Sequence, residues 1–127
     1  MKYFKLSELG ATDESFFHDG FLQKLDYLRE KVGKPFYITS CARSMEKNKL
    51  VGGALRSLHI YDYPAYYELG QKGCMAIDIK CQNPKFKVEL IETALLYGWS
   101  VGINDRKNFV HLDRRIDLGL PKAIFSY

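Results

Sequence analysis

The apolar positions of the chain first recur at the spacing of an α-helix. Four residues form this series, Phe21, Leu25, Leu28 and Val32. Gly33 follows directly and predicts the end of the helix. Upstream, the region from Ser7 or Thr12 to Phe17 contains acidic side chains suited to a helix N-terminus, and we interpret it as the entry to this helix.

A second long helix is predicted to begin at Asn83, which fits the N-cap, and Pro84, which fits the first helical position. Its apolar face would consist of three residues at helical spacing, Val88, Ile91 and Leu95. Gly98 predicts its end. Between the two long helices, residues 44–50 predict a short helix that ends before the glycine turn at 52–53.

Four further segments have the composition or the alternation of β-strands. They are residues 35–41, 74–80, 99–103 and 108–113. The polar turn at 104–107 joins the last two strands, whereas the tyrosine-rich residues 60–72 predict a loop. We therefore expect one α+β domain over residues 1–127, with helices packed on one face of a small, mostly antiparallel sheet.

Composition narrows the class of protein. The chain has 127 residues, 46% of them hydrophobic, which is enough for one modest core. Its net charge of +4 is mild and its basic residues are scattered, so we expect no nucleic-acid partner and at most an attraction to anionic polymers such as bacterial cell wall. No apolar run is long enough to span a membrane, and we expect no signal peptide. We expect a monomer that is cytoplasmic as synthesised.

The chain contains three cysteines, Cys41, Cys74 and Cys81. The odd number and the missing signal predict free thiols in a reducing compartment. We interpret them as small buried hydrophobic residues. The alternative is that Cys74 and Cys81 are additional metal ligands, but the close C-x-x-C pair of structural zinc sites is missing.

Three residues far apart in sequence, His59, Asp78 and His111, carry the candidate chemistry. Strand alternation puts Asp78 on the face opposite its two isoleucine neighbours, and it puts His111 on the face opposite its own apolar neighbours. Both side chains can therefore meet in a cleft, which His59 would reach from a loop. Two imidazoles and one carboxylate leave the fourth tetrahedral position of zinc open for water, as in catalytic sites.

These residues lie within a series of ordered motifs. The series comprises Thr-Ser-Cys-Ala-Arg-Ser at 39–44, Asn48, Val-Gly-Gly-Ala at 51–54, Ser-Leu-His at 57–59, the set Gly73, Ala76 and Asp78, and Val-His-Leu-Asp at 110–113. In these motifs the chain resembles the peptidase M15 family, which contains zinc D-alanyl-D-alanine carboxypeptidases and related murein endopeptidases. The opening residues 4–9 and Gly-Lys-Pro at 33–35 resemble its small bacterial and phage subgroup, and the resemblance covers about residues 4–115.

The resemblance implies a hedgehog/DD-peptidase-like fold with Zn²⁺ in the cleft, bound by His59, Asp78 and His111. It also implies that Arg43 holds the carboxylate of a peptidoglycan peptide, for which the guanidinium fork is chemically suited. The alternative for Arg43 is a structural ion pair. Ser57 is expected to orient the substrate or to cap the loop that carries His59.

Two departures from the family pattern affect this interpretation. The family usually has histidine and aspartate seven positions apart, whereas here His59 and Asp78 are 19 positions apart. Residues 60–71 therefore form an insertion, which long loops tolerate. This tyrosine-rich segment is either a lid or sugar-stacking surface, or a packed surface loop.

The second departure concerns the general base. Many family members have an acidic residue three positions before the last histidine, where this chain has Asn108. We predict that Asp113 takes the proton of water instead, because it shares a strand face with His111. The alternative is that Asp113 only orients an imidazole. Asp105 is the next candidate for the base.

The sequence thus predicts a zinc metallopeptidase that hydrolyses amide bonds in peptidoglycan stem peptides, with Asp113 and Arg43 as catalytic residues. It leaves open a D,D-carboxypeptidase or an endopeptidase, including an endolysin that reaches the cell wall after phage-type release. A non-catalytic zinc-containing module that binds cell wall or protein is the main alternative, and Asn108 favours it. A different zinc hydrolase acting on a small amide is a further alternative.

Overall fold

Three α-helices and five β-strands form within the residues that the computed structural model describes, which are 1–54, 56–62 and 70–127. The helices are α1 (Phe21–Val32), α2 (Met45–Leu50) and α3 (Pro84–Leu96). The strands are β1 (Ile38–Ser40), β2 (Ala76–Lys80), β3 (Ser100–Asn104), β4 (Phe109–Asp113) and β5 (Ile124–Ser126). Short 3-10 helices occupy Leu6–Leu9, Glu14–Phe16 and Arg115–Leu118.

The predicted helix ends are confirmed for both long helices. Gly33 ends α1 in the left-handed conformation, and its N–H donates to the carbonyl of Arg29. At the start of α3, the side chain of Asn83 accepts from two backbone N–H groups, so it is the predicted N-cap. The region expected to lead into α1 does not do so. Asp13 caps a separate 3-10 helix, and α1 begins only at Phe21.

The predicted apolar face of α3 is wrong at one position. Val88 is 54% exposed, whereas Leu90 and Ala94 are fully buried. Ile91 and Leu95 pack partly against the core, as predicted. The buried face of α3 is therefore centred on Leu90 and Ala94, with Ile91 and Leu95 beside them, because these are the positions at which the helix packs on the core.

The five strands form a mixed sheet with the order β1-β2-β4-β3-β5. The pairs β1–β2, β2–β4 and β4–β3 are antiparallel, but β5 runs parallel to β3. The expectation of a mostly antiparallel sheet is therefore corrected to a mixed one. The reason is that the chain reverses after β4, through the 3-10 helix Arg115–Leu118, and so returns in the direction of β3.

One face of the sheet carries the hydrophobic core. Ile77 and Ile79 of β2 and Val110 and Leu112 of β4 are fully buried, together with residues of α1 and α3. Trp99, just before β3, packs edge-on against Phe21 of α1. The alternating residues of β2 and β4 therefore lie on the opposite face, where the candidate metal ligands are. Within the described residues, no helix is long and apolar enough to cross a membrane.

Candidate metal centre

Asp78 and His111 are direct partners in the sheet. Asp78 lies at the centre of β2 and faces His111 at the centre of β4 in the antiparallel register. Cross-strand partners on the same face have neighbouring Cβ atoms, so the two side chains meet above the sheet. Nδ1 of His111 lies 3.0 Å from Oδ1 of Asp78. The juxtaposition expected from alternation is thus present.

His59 reaches the same point from a loop that three hydrogen bonds hold. The hydroxyl oxygen of Ser57 accepts from the backbone N–H of His59 at 3.2 Å. The backbone N–H of Arg43 donates to the carbonyl of His59 at 2.9 Å. Nδ1 of His59 donates to the carbonyl of Cys41 at 2.7 Å, and since a carbonyl only accepts, this nitrogen carries the proton. The lone pair of Nε2 then points to Asp78.

The three side chains present a compact set of donor atoms. Nε2 of His59 lies 3.0 Å from Oδ1 of Asp78 and 3.3 Å from Nδ1 of His111. In a tetrahedral zinc site, ligands about 2.0–2.2 Å from the ion are roughly 3.3–3.6 Å apart. The donor atoms are therefore close to zinc-binding geometry and would move apart by only a few tenths of an ångström. Within the described residues, these three side chains are the His/Cys/Asp/Glu group that could hold a metal ion.

Asp113 lies on the far side of the His111 imidazole. Its Oδ2 accepts from Nε2 of His111 at 2.8 Å, so in the neutral ring Nδ1 keeps its lone pair for a metal ion. Arg115 binds the same carboxylate through three contacts: Nη2 to Oδ2 at 2.7 Å, and Nε and the backbone N–H to Oδ1 at 2.9 and 3.0 Å. Asp113 is fully buried. Both of its oxygens are occupied.

Neighbouring charges and hydrogen bonds strongly shift the pKa values of His111, Asp113 and Asp78. Burial alone would lower the pKa of His111, but hydrogen bonds to Asp113 and Asp78 outweigh it and raise the pKa to about 9. Burial would raise the pKa of Asp113, but hydrogen bonds from Arg115 and His111 lower it to about 2. For Asp78, contacts with the two histidines likewise outweigh burial, and its pKa falls below the usual range. Both carboxylates are thus charged at neutral pH.

Arg43 faces the same cleft without an ionic partner among the described residues. Its Nε is buried and has no hydrogen-bond partner there. Gly53 makes room mainly for the side chain of Asn48, because a Cβ at residue 53 would lie 2.2 Å from Oδ1 of Asn48, whereas Nη1 of Arg43 would be 3.1 Å away. A buried guanidinium nitrogen without an acceptor is costly, so it suits an anionic group that arrives with a ligand.

The cleft has a volume of about 800 Å³. Its lining includes the three candidate ligands, Arg43, Ser57, Asp113 and Arg115, and the aromatic residues Phe109, Phe125 and Tyr127. Asp78 and Asp113 are the carboxylates that line it within the described part of the chain, and each is engaged in the contacts given above. The cleft thus combines candidate metal donors, an unpaired cation and an apolar wall.

The residue at the family position of the general base, Asn108, and the next candidate for the base, Asp105, lie elsewhere. Asn108 is exposed directly before β4 and adopts a left-handed conformation (φ 55°), and its carbonyl accepts from the N–H of Cys81. The side chain of Asp105 is 81% exposed and pairs with Lys87 of α3. Neither residue lines the cleft.

The three cysteines are free and buried, as interpreted from the sequence. The thiols of Cys41 and Cys74 both donate to the carbonyl of Ala76, and Cys81 donates to that of Ile79. None of them joins the metal-binding group.

The insertion between His59 and Asp78 is fixed at both ends. The carbonyl of Arg43 accepts from the N–H of Tyr61, whose ring stacks on Phe16 with centroids 4.3 Å apart. At the other end, the buried amide of Gln71 donates to the carbonyls of Ile60 and Gly73 at 3.3 and 2.7 Å. The tyrosines at 63, 66 and 67, and with them the predicted lid or packed loop, lie outside the described residues.

Three contributors to the site were not predicted. They are the carbonyl of Cys41, the guanidinium of Arg115 and the ring of Phe125. The basic pair at 114–115, directly after a strand that ends in aspartate, is the one sequence signal that could have indicated the partner of Asp113. A backbone carbonyl leaves no sequence signal.

Comparison with known proteins assigns the chain to a family. A family model described as Peptidase M15 matches residues 3–113, which include all the candidate ligands and Arg43. No curated protein matches the chain. The matched range ends at the last residue of β4, so Arg115 and β5 lie beyond it.

Proposed function

Since the chain belongs to the peptidase M15 family, we propose that it is a zinc peptidase of peptidoglycan stem peptides. The family supports a metallopeptidase in general. The peptidoglycan substrate, and the choice between a D,D-carboxypeptidase and an endopeptidase of the endolysin type, are part of the proposal.

The observation that carries the proposal is the convergence of three donor atoms beside an unpaired guanidinium. His59, Asp78 and His111 present their donors within 3.3 Å of one another. Arg43 shares their cleft. A metal next to a carboxylate-binding cation suits the hydrolysis of an amide near a free carboxylate.

In this proposal, zinc would be held by Nε2 of His59, Nδ1 of His111 and Oδ1 of Asp78. When bound, zinc would act as a Lewis acid that polarises the scissile carbonyl and makes water a stronger nucleophile at neutral pH. The carbonyl of Cys41 and the carboxylate of Asp113 keep each imidazole in the tautomer and orientation that binding requires.

For Asp113 we propose a positioning role, in place of the proton transfer predicted from sequence. Its Oδ2 holds Nε2 of His111 and its Oδ1 is held by Arg115. A carboxylate with a pKa of about 2 is a weak proton acceptor near neutrality. The imidazole of His111 also lies between Asp113 and the metal-binding side of the cleft. Asp113 therefore acts through His111.

Arg43 is proposed to bind the carboxylate of the substrate through its guanidinium. Ser57 caps the His59 loop through its hydroxyl oxygen, which accepts from the N–H of His59. Because Ser57 also lines the cleft, we keep it as a substrate contact in the proposal.

A second candidate function has one specific observation in its favour. Both carboxylates of the described cleft, Asp78 and Asp113, are engaged in contacts. No further acidic residue of the described cleft is available for the role of the general base, whose usual family position is occupied by Asn108. A zinc-containing module that binds cell wall or a protein without cleaving it would need no such base.

Mass spectrometry of purified muropeptides incubated with zinc-loaded protein decides between the two functions. The peptidase predicts new product masses, and their composition identifies the bond that is cut. Asp78→Asn, matched with Asp105→Asn outside the cleft, controls for contaminating activity: the first substitution abolishes the products and the second retains them. Zinc binding and muropeptide binding without any products would support the binding module instead.

A further inference from the structure

One wall of the cleft is aromatic and comes largely from residues beyond the family match. Phe125 on β5 lies 5.6 Å from His111 between ring centroids. Tyr127 lies 5.8 Å from Phe125 and 5.4 Å from Phe109 of β4. Phe109, Phe125 and Tyr127 form what we call the aromatic wall. All three line the cleft.

The position of Phe125 depends on a glycine in the neighbouring strand. Gly102 of β3 is the register partner of both His111 and Phe125. A Cβ at residue 102 would lie 2.5 Å from Cε2 and Cζ of the Phe125 ring. The backbone of Gly102 is outside the left-handed region, so its conformation alone does not require glycine. Gly102 thus provides the space in which the ring lies beside the candidate metal ligand.

Arg115 fixes the ring further. Its guanidinium carbon lies 5.4 Å from the centroid of Phe125, at a distance typical of a cation–π contact. The same guanidinium is held by Asp113, which in turn holds His111. The ring is therefore fixed relative to the metal-binding group by named contacts on two sides.

The sheet order sets the direction of the cleft. Arg43 follows β1 at one edge of the sheet, Asp78 and His111 lie on the inner strands β2 and β4, and Phe125 lies on β5 at the other edge. A peptide whose carboxylate reaches Arg43 would cross the metal-binding group toward the aromatic wall. The residue on the acyl side of the cleaved bond would then meet Phe125.

We propose that Phe125 is a specificity-determining residue, which contacts an apolar side chain on the acyl side of the scissile bond and is held in place by Gly102. The direction of the peptide rests on the proposed peptidase function. The contact itself needs only a ligand that binds the metal. Burial of an aliphatic side chain against a ring predicts a preference for such a side chain over hydrogen.

The test uses probes that bind zinc without being cleaved and without a carboxylate for Arg43. The hydroxamates of N-acetyl-leucine, in both enantiomers, and of N-acetylglycine meet these conditions. Their dissociation constants are measured by calorimetry on the zinc-loaded full chain. For the wild type, we expect one leucine enantiomer to bind about tenfold more tightly than the glycine compound.

The variants identify the residue responsible. Phe125→Ala should reduce this ratio to about twofold or less, and Gly102→Ala should reduce it similarly because its methyl group displaces the ring. The double variant should fall no further. The matched control is Ile124→Ala on the same strand, which is 64% exposed and outside the cleft lining, and it should keep the wild-type ratio. If Gly102→Ala does not fold, Phe125→Ala and Phe125→Leu carry the test.

The proposal is overturned if the wild type shows no preference, or if Phe125→Ala keeps the tenfold ratio. Muropeptide digestion with the same protein samples separates this result from the proposed function. If the ratio of dissociation constants depends on Phe125 but no muropeptide is cleaved, the peptidase function is rejected and the apolar contact is retained. If muropeptides are cleaved but the ratio of dissociation constants does not depend on Phe125, the peptidase function is retained and the apolar contact is rejected.

Discussion

Asp113 holds Nε2 of His111 at 2.8 Å, and Arg115 occupies both oxygens of the same carboxylate. The imidazole of His111 is consequently placed between two carboxylates, with Asp78 at Nδ1. In such an arrangement the outer carboxylate fixes the ring and increases its basicity as a ligand. The ring of His111 thus separates Asp113 from the other candidate metal donors.

We expect Asp113→Asn to weaken zinc binding about 10–100-fold, because an amide supports the His111 imidazole less well than a carboxylate. The measurement is competition with a chromophoric chelator at neutral pH. Asp105→Asn is the matched control, since Asp105 is exposed and pairs with Lys87 outside the cleft.

The same substitution tests the role predicted from sequence. If Asp113→Asn binds zinc as tightly as the wild type but no longer cleaves a substrate of the wild type, the carboxylate transfers a proton. If the variant, saturated with excess zinc, recovers most of its activity, the carboxylate positions His111 as proposed.

The pH dependence of the metal-free protein follows from the raised pKa of His111. Its pKa is about 9 in the folded state and about 6.5 in an unfolded chain, so protonation stabilises the fold. This contribution is complete below about pH 6.5 and is lost as the pH rises through about 9. We expect urea unfolding of the metal-free protein to show a falling free energy of unfolding across this interval.

Zinc binding should show the opposite trend over the same interval. The metal needs the deprotonated Nδ1 of His111, so binding releases a proton and becomes tighter as the pH rises toward about 9. Calorimetry in two buffers with different ionisation enthalpies measures the released proton. A zinc affinity that is constant between pH 6.5 and 9 would contradict the raised pKa.

Arg43→Lys should reduce kcat/KM about 100-fold on a peptide with a free carboxylate near the cleaved bond, because a lysine does not replace the two-pronged contact. The effect should disappear on the same peptide with that carboxylate converted to an amide. Zinc affinity is measured in parallel and should not change. An equal loss on both peptides would mean that Arg43 supports the fold rather than the substrate.

Gly73→Ala should destabilise the fold by about 3 kcal/mol or more. The residue has φ of +129°, and a Cβ there would lie 2.6 Å from the carbonyl carbon of Phe17 and 2.8 Å from the N of His18. Gly119→Ala is the matched control, since its φ is +79° but no atom lies within 4 Å of the added Cβ. We expect a loss of about 1 kcal/mol for the control. Urea denaturation compares the two, and equal losses would show that the clash near residue 17 relaxes.

Part of the site follows directly from the sequence. The period of two in a strand put Asp78 and His111 on the faces opposite their apolar neighbours, and this required no knowledge of the partner strand. The N-cap at Asn83 and the helix end at Gly33 are similarly local, because each depends on backbone groups within one turn.

The remaining features depend on contacts between distant segments. The role of Asp113 is set by the side chain of Arg115, which turns back after the strand has ended. β5 was missed because it has three residues and pairs in parallel with β3, so neither length nor alternation marks it. Val88 was placed on the wrong face because the packing of α3 on the sheet, rather than the helical period, selects which apolar stripe is buried.

The hydrogen bonds of Gln71 to the carbonyls of Ile60 and Gly73 close the insertion at its base. The distance between the side chains of His59 and Asp78 therefore does not depend on how many residues separate them in sequence. We expect that the segment between these fixed ends can be exchanged without moving the donor atoms. The chain thus separates the frame that holds the metal-binding side chains from the segment inserted beside it.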